Sequence, residues 1–595
     1  MKKKIIPLIS ALAVGATVMI APACADSGGD KTPITYQEYS SSTVSFQDNR
    51  DNALSNYNSD LYYINEWKTG YNTPNTSGNF FPDMGDPMIV WDDGYYYAFG
   101  TRGADCFHCF RSPDLTNWTR LANAFEPDDN SWGRTNLWAP DIQKIDGKWY
   151  LYYTAGMIGE PMYNSDKREH CQIGVAVSDN VYGPYKQFTG TNGNGETVTL
   201  KDTPFKGLEG HTILDQTVFQ DDDGELYMYF SYDSKTGSPE HREMSKNGNT
   251  SEIWMVRMKD AVTWDLSTLK PLMSAGYKNF DDAKRTIGWE TWSPSFTGGT
   301  QCLEGPYMIK QNGKYFLTYC ANSFVDAEYS VGYAVSDSPM GPFVKPDDYY
   351  LQNMLLGVPG APGTYISNRY KGFTRGTGHA AIFKTGGGEY MFAYHAHFNR
   401  EVWSDEIPFA NWRALAVDYL HFDSNGNPYT NGPTYSLQNT PSDVSGLKNL
   451  APQATIRAEG DNAQYLNDNY TNRINRTVLL DKTKRYEAIR EAEFKAGTRS
   501  IELKFPSPVT VKAVNIYNSC DLEYSVKYID QIDFGNGNGI VNALFNTRYI
   551  NDDFIFPHSA FNIELGSEVV TDRIVITISS DTDFALGEIE VMCKQ

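Results

Sequence analysis

Three carboxylates, a histidine and a tryptophan recur at one offset along this chain. Counting back eight or nine residues from five glycine-ended turns reaches Asp86, Trp138 (with Asp141 three further on), Asp215, Glu304 and His379. Strand starts inside a β-protein are ordinarily apolar or hydroxyl-bearing, and buried carboxyls are costly unless they are used. Acids at matching offsets therefore point to a site. The chemistry open to them is general acid–base catalysis, since water attacking an acetal carbon needs a base on one side and an acid on the other. Where the sugar configuration inverts, the two carboxyls stand roughly 6.5–9.5 Å apart to admit that water.

The turns that set the count are Asp92-Asp93-Gly94, Asp146-Gly147, Asp222-Asp223-Gly224, Asn312-Gly313 and Gly387-Gly388, each leading into strand-like aromatic residues such as Tyr95-Tyr96-Tyr97. Each reads as a tight hairpin whose glycine supplies a positive φ. Their spacing of roughly 55–90 residues is too wide for a solenoid and suits a five-bladed β-propeller with long loops. A propeller lines its axis with one strand per blade, which would gather the five positions at one end of a common channel. A second phrase keeps step with the first: Ser112-Pro113-Asp114, Ser178-Asp179-Asn180 and Ser336-Asp337-Ser338. The alternating run 413–423 is expected to close the ring.

An all-β chain is expected throughout, with no long amphipathic helix. The propeller is assigned to 76–430, a Pro-, Asn-, Ser- and Thr-rich linker to 431–449, and a β-sandwich to 450–595. The sandwich rests on alternating runs at 500–505, 509–517, 573–578 and 588–592. Residues 24–75 form a polar tether and approach segment. Before them, Lys2 to Lys4 make a basic n-region, 5–20 an apolar h-region and Ala21-Pro22-Ala23 a cleavage site, so 1–23 reads as a signal peptide. Cleavage leaves Cys24 first, as in bacterial lipoproteins. An outer-membrane or cell-surface lipoprotein is expected, with periplasmic or secreted protein as the alternative because Ala21 stands where leucine is usual.

The chain has 595 residues, 40 Tyr and 12 Trp, enough for two or three well-filled domains and for stacking on sugar faces. Mean hydropathy of −0.49 excludes an integral membrane protein, leaving the lipid anchor as the expected membrane contact. The net charge of −22 argues against nucleic acid as a partner. Cys106 and Cys109 flank His108 without a second ligand pair, so a loop disulfide or buried thiols are expected rather than zinc. Cys520 and Cys593 are a second candidate pair.

Gly85-Asp86-Pro87 before an aromatic hairpin, Leu137-Trp138-Ala139-Pro140-Asp141, Asp215 through Phe219 to Asp223-Gly224, and Glu304-Gly305-Pro306 occur in that order. Together they resemble glycoside hydrolase family 43 over about 350 residues. The resemblance implies a five-bladed propeller and inverting hydrolysis of an oligo- or polysaccharide. Asp86 would be the general base, Glu304 the general acid, and Asp215 the residue that orients the acid and raises its pKa. It further implies His379 as the holder of a hydrated calcium in the channel, a satisfied core histidine being the other reading; no cofactor is required. Trp138, Trp289 and Trp292 are candidate sugar platforms, and Arg413 matches the family's ring-closing arginine near the substrate. The C-terminal region resembles discoidin-like sandwiches.

Insertions at 233–252 and 345–375 are expected to wall the channel mouth into a pocket. On that ground the expected activity is an exo-acting α-L-arabinofuranosidase on plant-type glycans. A β-D-xylosidase or a galactan- or galactofuranose-directed glycosidase of the same family is the alternative, and a non-catalytic glycan-binding surface propeller is the reading from another class.

Overall fold

A computed structural model describes residues 57–65 and 82–595, apart from 103–105, 158–170, 209–210, 234–248, 296–300, 347–352, 358–373, 399–412, 472, 475–488, 536, 547–548, 552–553 and 557, together with the backbone of Thr35–Glu38 and Ser77–Asn79. The signal peptide, Cys24 and most of both insertions lie outside the described residues.

Five antiparallel sheets follow one another as blades. Their inner strands are Gly85–Asp92, Gly133–Ile145, Thr212–Gln220, Leu303–Gln311 and Thr374–Lys384. Each inner strand runs through a hairpin into a second strand, beginning at Tyr95, Lys148, Leu226, Lys314 and Tyr390 respectively. Blades one, two and four use two-residue turns in which both residues take positive φ: Asp93-Gly94, Asp146-Gly147 and Asn312-Gly313. That is the turn whose twist matches the flanking strands, which is why Asp-Gly and Asn-Gly dictate it. Blades three and five pair Gln220 with Leu226 and Lys384 with Tyr390, so their loops are longer. The serine- and aspartate-bearing phrases at 112–114, 178–180 and 336–338 join third strands to fourth strands; in the first, the Asp114 carboxylate accepts the Thr116 and Asn117 N–H groups at 2.9 and 2.7 Å.

Every inner strand breaks register near its start. The shifts fall between Gly85 and Met88, Trp138 and Asp141, Leu214 and Thr217, Glu304 and Tyr307, and Gly378 and Ala381. In each bulge one residue is left-handed: Asp86 (φ 50°), Ala139 (45°), Asp215 (56°), Gly305 (56°) and His379 (48°). A bulge re-aims a side chain and ends regular pairing. Non-glycine residues at such φ are strained, and the strain repeats around the ring. A polar web ties the bulges across blades. Ala139 N–H donates to Thr101 Oγ1 (2.9 Å), Gln216 Nε2 to the Ala139 carbonyl (2.7 Å), and Asp215 N–H to Thr154 Oγ1 (3.0 Å).

Among the described residues no blade mixes first and last strands. The ring closes where Asp83 bridges Ala414 and Leu415 N–H donates to the Pro82 carbonyl at 3.0 Å. The run expected to close it is the third strand of blade five, Ala414–Phe422, and all but three of its residues are buried.

The C-terminal region is a β-sandwich built around two long strands, Gly497–Asn518 and Ala560–Ser580. The runs read as separate strands at 500–505 and 509–517 are halves of one strand, with pairing interrupted between Lys504 and Val509 at Pro506 and Pro508. Phe494 stacks on Phe584 at 4.8 Å within its core. The segment 431–449 is packed between the domains: Gln438–Asn439 pairs with Tyr62–Tyr63, Leu437 N–H donates to Tyr549, and Asn439 Nδ2 donates to Glu590 at 2.6 Å. Thr35–Glu38 adds a parallel strand to the sandwich edge at Asn538–Val541.

Candidate active site

The bulges bring Asp86, Asp215, Glu304 and His379 together at one mouth of the ring. His379 Nδ1 lies 3.1 Å from Asp86 Oδ1. The amide that follows Glu304, Gly305 N–H, donates to Asp215 Oδ2 at 3.4 Å. Arg413 Nη1 reaches Asp86 Oδ1 at 2.6 Å. That reach explains the glycine before Asp86, since a Cβ on Gly85 would lie 2.0 Å from Arg413 Cζ. The buried His395 accepts the Asp86 N–H on Nδ1 at 3.3 Å. Glu304 receives Tyr329 Oη on Oε1 at 2.7 Å and faces the Cys302 thiol at 3.6 Å. Asp141 is turned away from the mouth; its carboxylate accepts Val218 N–H at 2.8 Å and locks blade two to blade three.

Ionisation at the mouth divides the acids. Burial favours protonation of Asp86, but Arg413 and His379 outweigh it and hold this carboxyl well below the ordinary range. Asp215 is pushed up to about 7, chiefly by burial, with His379 opposing and the negative charges of Glu304 and Asp86 adding to the rise. Glu304 is also raised by burial, against the Tyr329 hydrogen bond and the His379 charge. Asp215 and Glu304 therefore titrate as a pair that keeps one proton near neutral pH. His379 rises to about 9, because attraction to Asp86 and Asp215 overcomes its desolvation. The Asp86 carboxylate balances Arg413, and the His379 cation balances the half-ionised pair, which leaves a neutral mouth for a neutral ligand.

The tryptophans divide as well. Trp289, expected as a sugar platform, is fully buried; its Nε1–H donates to Asn353 Oδ1 at 2.9 Å and its ring stacks on Tyr319. It is a core residue, placed by a short helical turn at Trp289–Thr291 beneath the buried Lys345–Glu290 ion pair (2.7 Å). Trp289→Ala is accordingly expected to destabilise the protein by about 3–5 kcal/mol in urea melts, with a loss of structure rather than a selective rise in KM. Trp292 is half-buried, with its backbone N–H on Asn322 Oδ1. Trp138 is half-buried beside its bulge, one residue before the left-handed Ala139.

A candidate platform that no motif announced is Phe324, on the loop between the second and third strands of blade four. It is 43% exposed, and the Arg413 guanidinium lies 5.0 Å from its ring centroid. His397 Nε2 contacts the Phe324 carbonyl at 3.1 Å, and Asp326 Oδ1 accepts Ser295 Oγ at 2.8 Å, so the loop is anchored. An aromatic ring next to the Asp86–Arg413 pair is chemically suited to a sugar face.

The resemblance implies a calcium joined to His379 through water, and direct ligation by this residue is not part of that expectation. His379 Nδ1 faces Asp86 Oδ1, and among the described residues no group of three or more His, Cys, Asp or Glu is placed to hold an ion directly. The seven described cysteines form no disulfide, so the thiol reading holds for Cys106 and Cys109, and the candidate Cys520–Cys593 pair is not joined. Cys109 points into the blade-one core while Cys106 stays in the loop outside it. A cavity of about 320 Å³ between blade five and the sandwich is remote from this chemistry. Its buried acids are internally satisfied, Asp418 by Tyr394 and Thr434, Glu590 by Asn439 and Tyr517.

Comparison with known proteins places this arrangement. The extracellular endo-α-(1→5)-L-arabinanase of Thermotoga petrophila is 28% identical over 45% of this chain, which spans 52% of that relative's length. The β-D-galactofuranosidase of Aspergillus niger is 25% identical over 60% of this chain and 85% of its own. The crystal structure of a thermostable family-43 glycoside hydrolase matches 64% of this chain and 99% of its own at 24% identity, with a TM-score of 0.46. Residues 79–428, essentially the whole propeller, match glycosyl hydrolases family 43, and the chain belongs to that family.

Proposed function

We propose that this chain is an exported inverting glycoside hydrolase that removes terminal α-L-arabinofuranosyl units from plant-type glycans. The observation that carries the reading is the divided ionisation of the mouth: Asp86 stays anionic while the Asp215–Glu304 pair retains a proton. In this reading Asp86 takes a proton from water, Glu304 delivers one to the leaving oxygen, and Asp215 holds Glu304 through the Gly305 amide and its like charge. Furanosides are favoured because the arabinanase and galactofuranosidase relatives are named for five-membered sugars. A galactofuranoside is the second reading, on the strength of the latter relative. Export rests on the basic and apolar N-terminal segment and on a relative named as extracellular. Anchoring through an acylated Cys24 belongs to the same proposal.

The test is incubation with aryl α-L-arabinofuranoside, β-D-xyloside and β-D-galactofuranoside, following the first-formed anomer by proton NMR. Inversion on the arabinofuranoside is expected; retention would overturn the mechanism, and activity confined to another sugar would overturn the specificity. In the same assay Phe324→Ala is expected to raise KM about fivefold with little change in kcat, because stacking contributes equally to ground and transition states.

A further inference from the structure

We propose that Tyr329 is a positioning residue that fixes the Glu304 carboxyl and, through the stacked imidazole of His395, registers it against Asp86. The inference rests on the general-acid reading of Glu304. Tyr329 is fully buried immediately before the third strand of blade four, Ser330–Ser336. Its hydroxyl donates to Glu304 Oε1 at 2.7 Å, and its ring lies parallel to His395 (5.5 Å between centroids, 12°). His395 in turn accepts the backbone N–H of Asp86, so it is neutral with its proton on Nε2. That Nε2 is buried and has no hydrogen-bond partner among the described residues. Thus the imidazole is held by its Nδ1 contact with the base and by packing, and Tyr329 supplies the packing. A glycine makes room for this: a Cβ on Gly378 would lie 2.3 Å from Tyr329 Cε1. The path from acid to base is therefore Glu304, Tyr329, His395 and Asp86.

The groups that face Glu304 are the hydroxyl of Tyr329, the thiols of Cys302 and of Cys320 on the paired strand, the cation of His379, and the carboxyls of Asp86 and Asp215. Of these, Tyr329 is a neutral donor that favours the ionised carboxylate, and it opposes the rise caused by burial. Without it Glu304 would keep its proton to a higher pH and lose its fixed rotamer.

The experiment is the pH profile of kcat/KM for the parent and for Tyr329→Phe, which keeps the ring stack and removes only the hydroxyl. The alkaline limb is expected to move up by roughly one pH unit. Over the same series kcat is expected to fall about tenfold with KM and melting temperature unchanged. A limb that stays in place, or a lower activity explained by lost folding, overturns the inference. Gly378→Ala, which drives a methyl into the Tyr329 ring, should also lower kcat and provides the second variant. Glu304→Gln is run in parallel: if it keeps full activity, the general-acid reading fails, whereas its loss with an unmoved Tyr329→Phe profile sinks only the positioning role.

Discussion

Glu304→Gln is expected to lower kcat/KM about a thousandfold on an alkyl glycoside and less than about tenfold on a dinitrophenyl glycoside of the same sugar. The contrast follows from what a general acid supplies. An alkoxide leaves poorly without a proton, while dinitrophenolate is stable enough to leave unaided. Glutamine keeps the shape of the side chain and its carbonyl can still accept the Tyr329 hydroxyl, so the bond at 2.7 Å survives and folding is preserved. It also removes the negative charge that helps raise Asp215, whose carboxyl should then ionise at lower pH. Steady-state kinetics on the two leaving groups checks the prediction. An equal loss on both would mean that Glu304 does something other than protonate the leaving oxygen.

Asp86→Asn should instead lower kcat/KM by about 10³–10⁴ whatever the leaving group, because activation of water is needed in every case. Asparagine is the informative replacement, since it tolerates the left-handed backbone (φ 50°) that Asp86 adopts and leaves the bulge intact. The same change leaves Arg413 and His379 without their anion. The pKa of His379, near 9 in the parent, should drop, which NMR titration of the imidazole can read. In the parent, Arg413 and His379 overcome burial and hold Asp86 well below the usual carboxylate range, so it remains ionised as pH falls. The alkaline limb should come near 7, where the Asp215–Glu304 pair gives up its proton. An acid limb above pH 6 that disappears in Asp86→Asn would contradict this ordering.

Some of this architecture is written in local sequence. Asp-Gly and Asn-Gly turns depend on two residues' φ values, so Asp93-Gly94, Asp146-Gly147 and Asn312-Gly313 are readable without knowing the rest of the chain. The acids are readable because they sit at a nearly fixed distance from those turns. The count says nothing of backbone handedness, which is set by the bulges. Thus Ala139 rather than Trp138 is left-handed, and Gly305 rather than Glu304. Register shifts arise from pairing between strands, which a single strand's pattern does not encode. Tyr329, His395 and Phe324 were missed for a related reason: they come from second and third strands and their loops, with no motif to mark them. Trp289 was misjudged because burial of an insertion depends on the blade it packs against, here through Tyr319 and Asn353.

The seam between the first and last blades carries a mechanical consequence. Ala414, which bridges Asp83, is the next residue after Arg413, and Arg413 is the cation that keeps Asp86 charged. Any force or solvent that pries those two blades apart would withdraw the guanidinium and weaken the nucleophile's activator while the individual sheets still stand. Circular integrity and proton affinity are thus a single variable in this molecule, and inactivation would run ahead of melting.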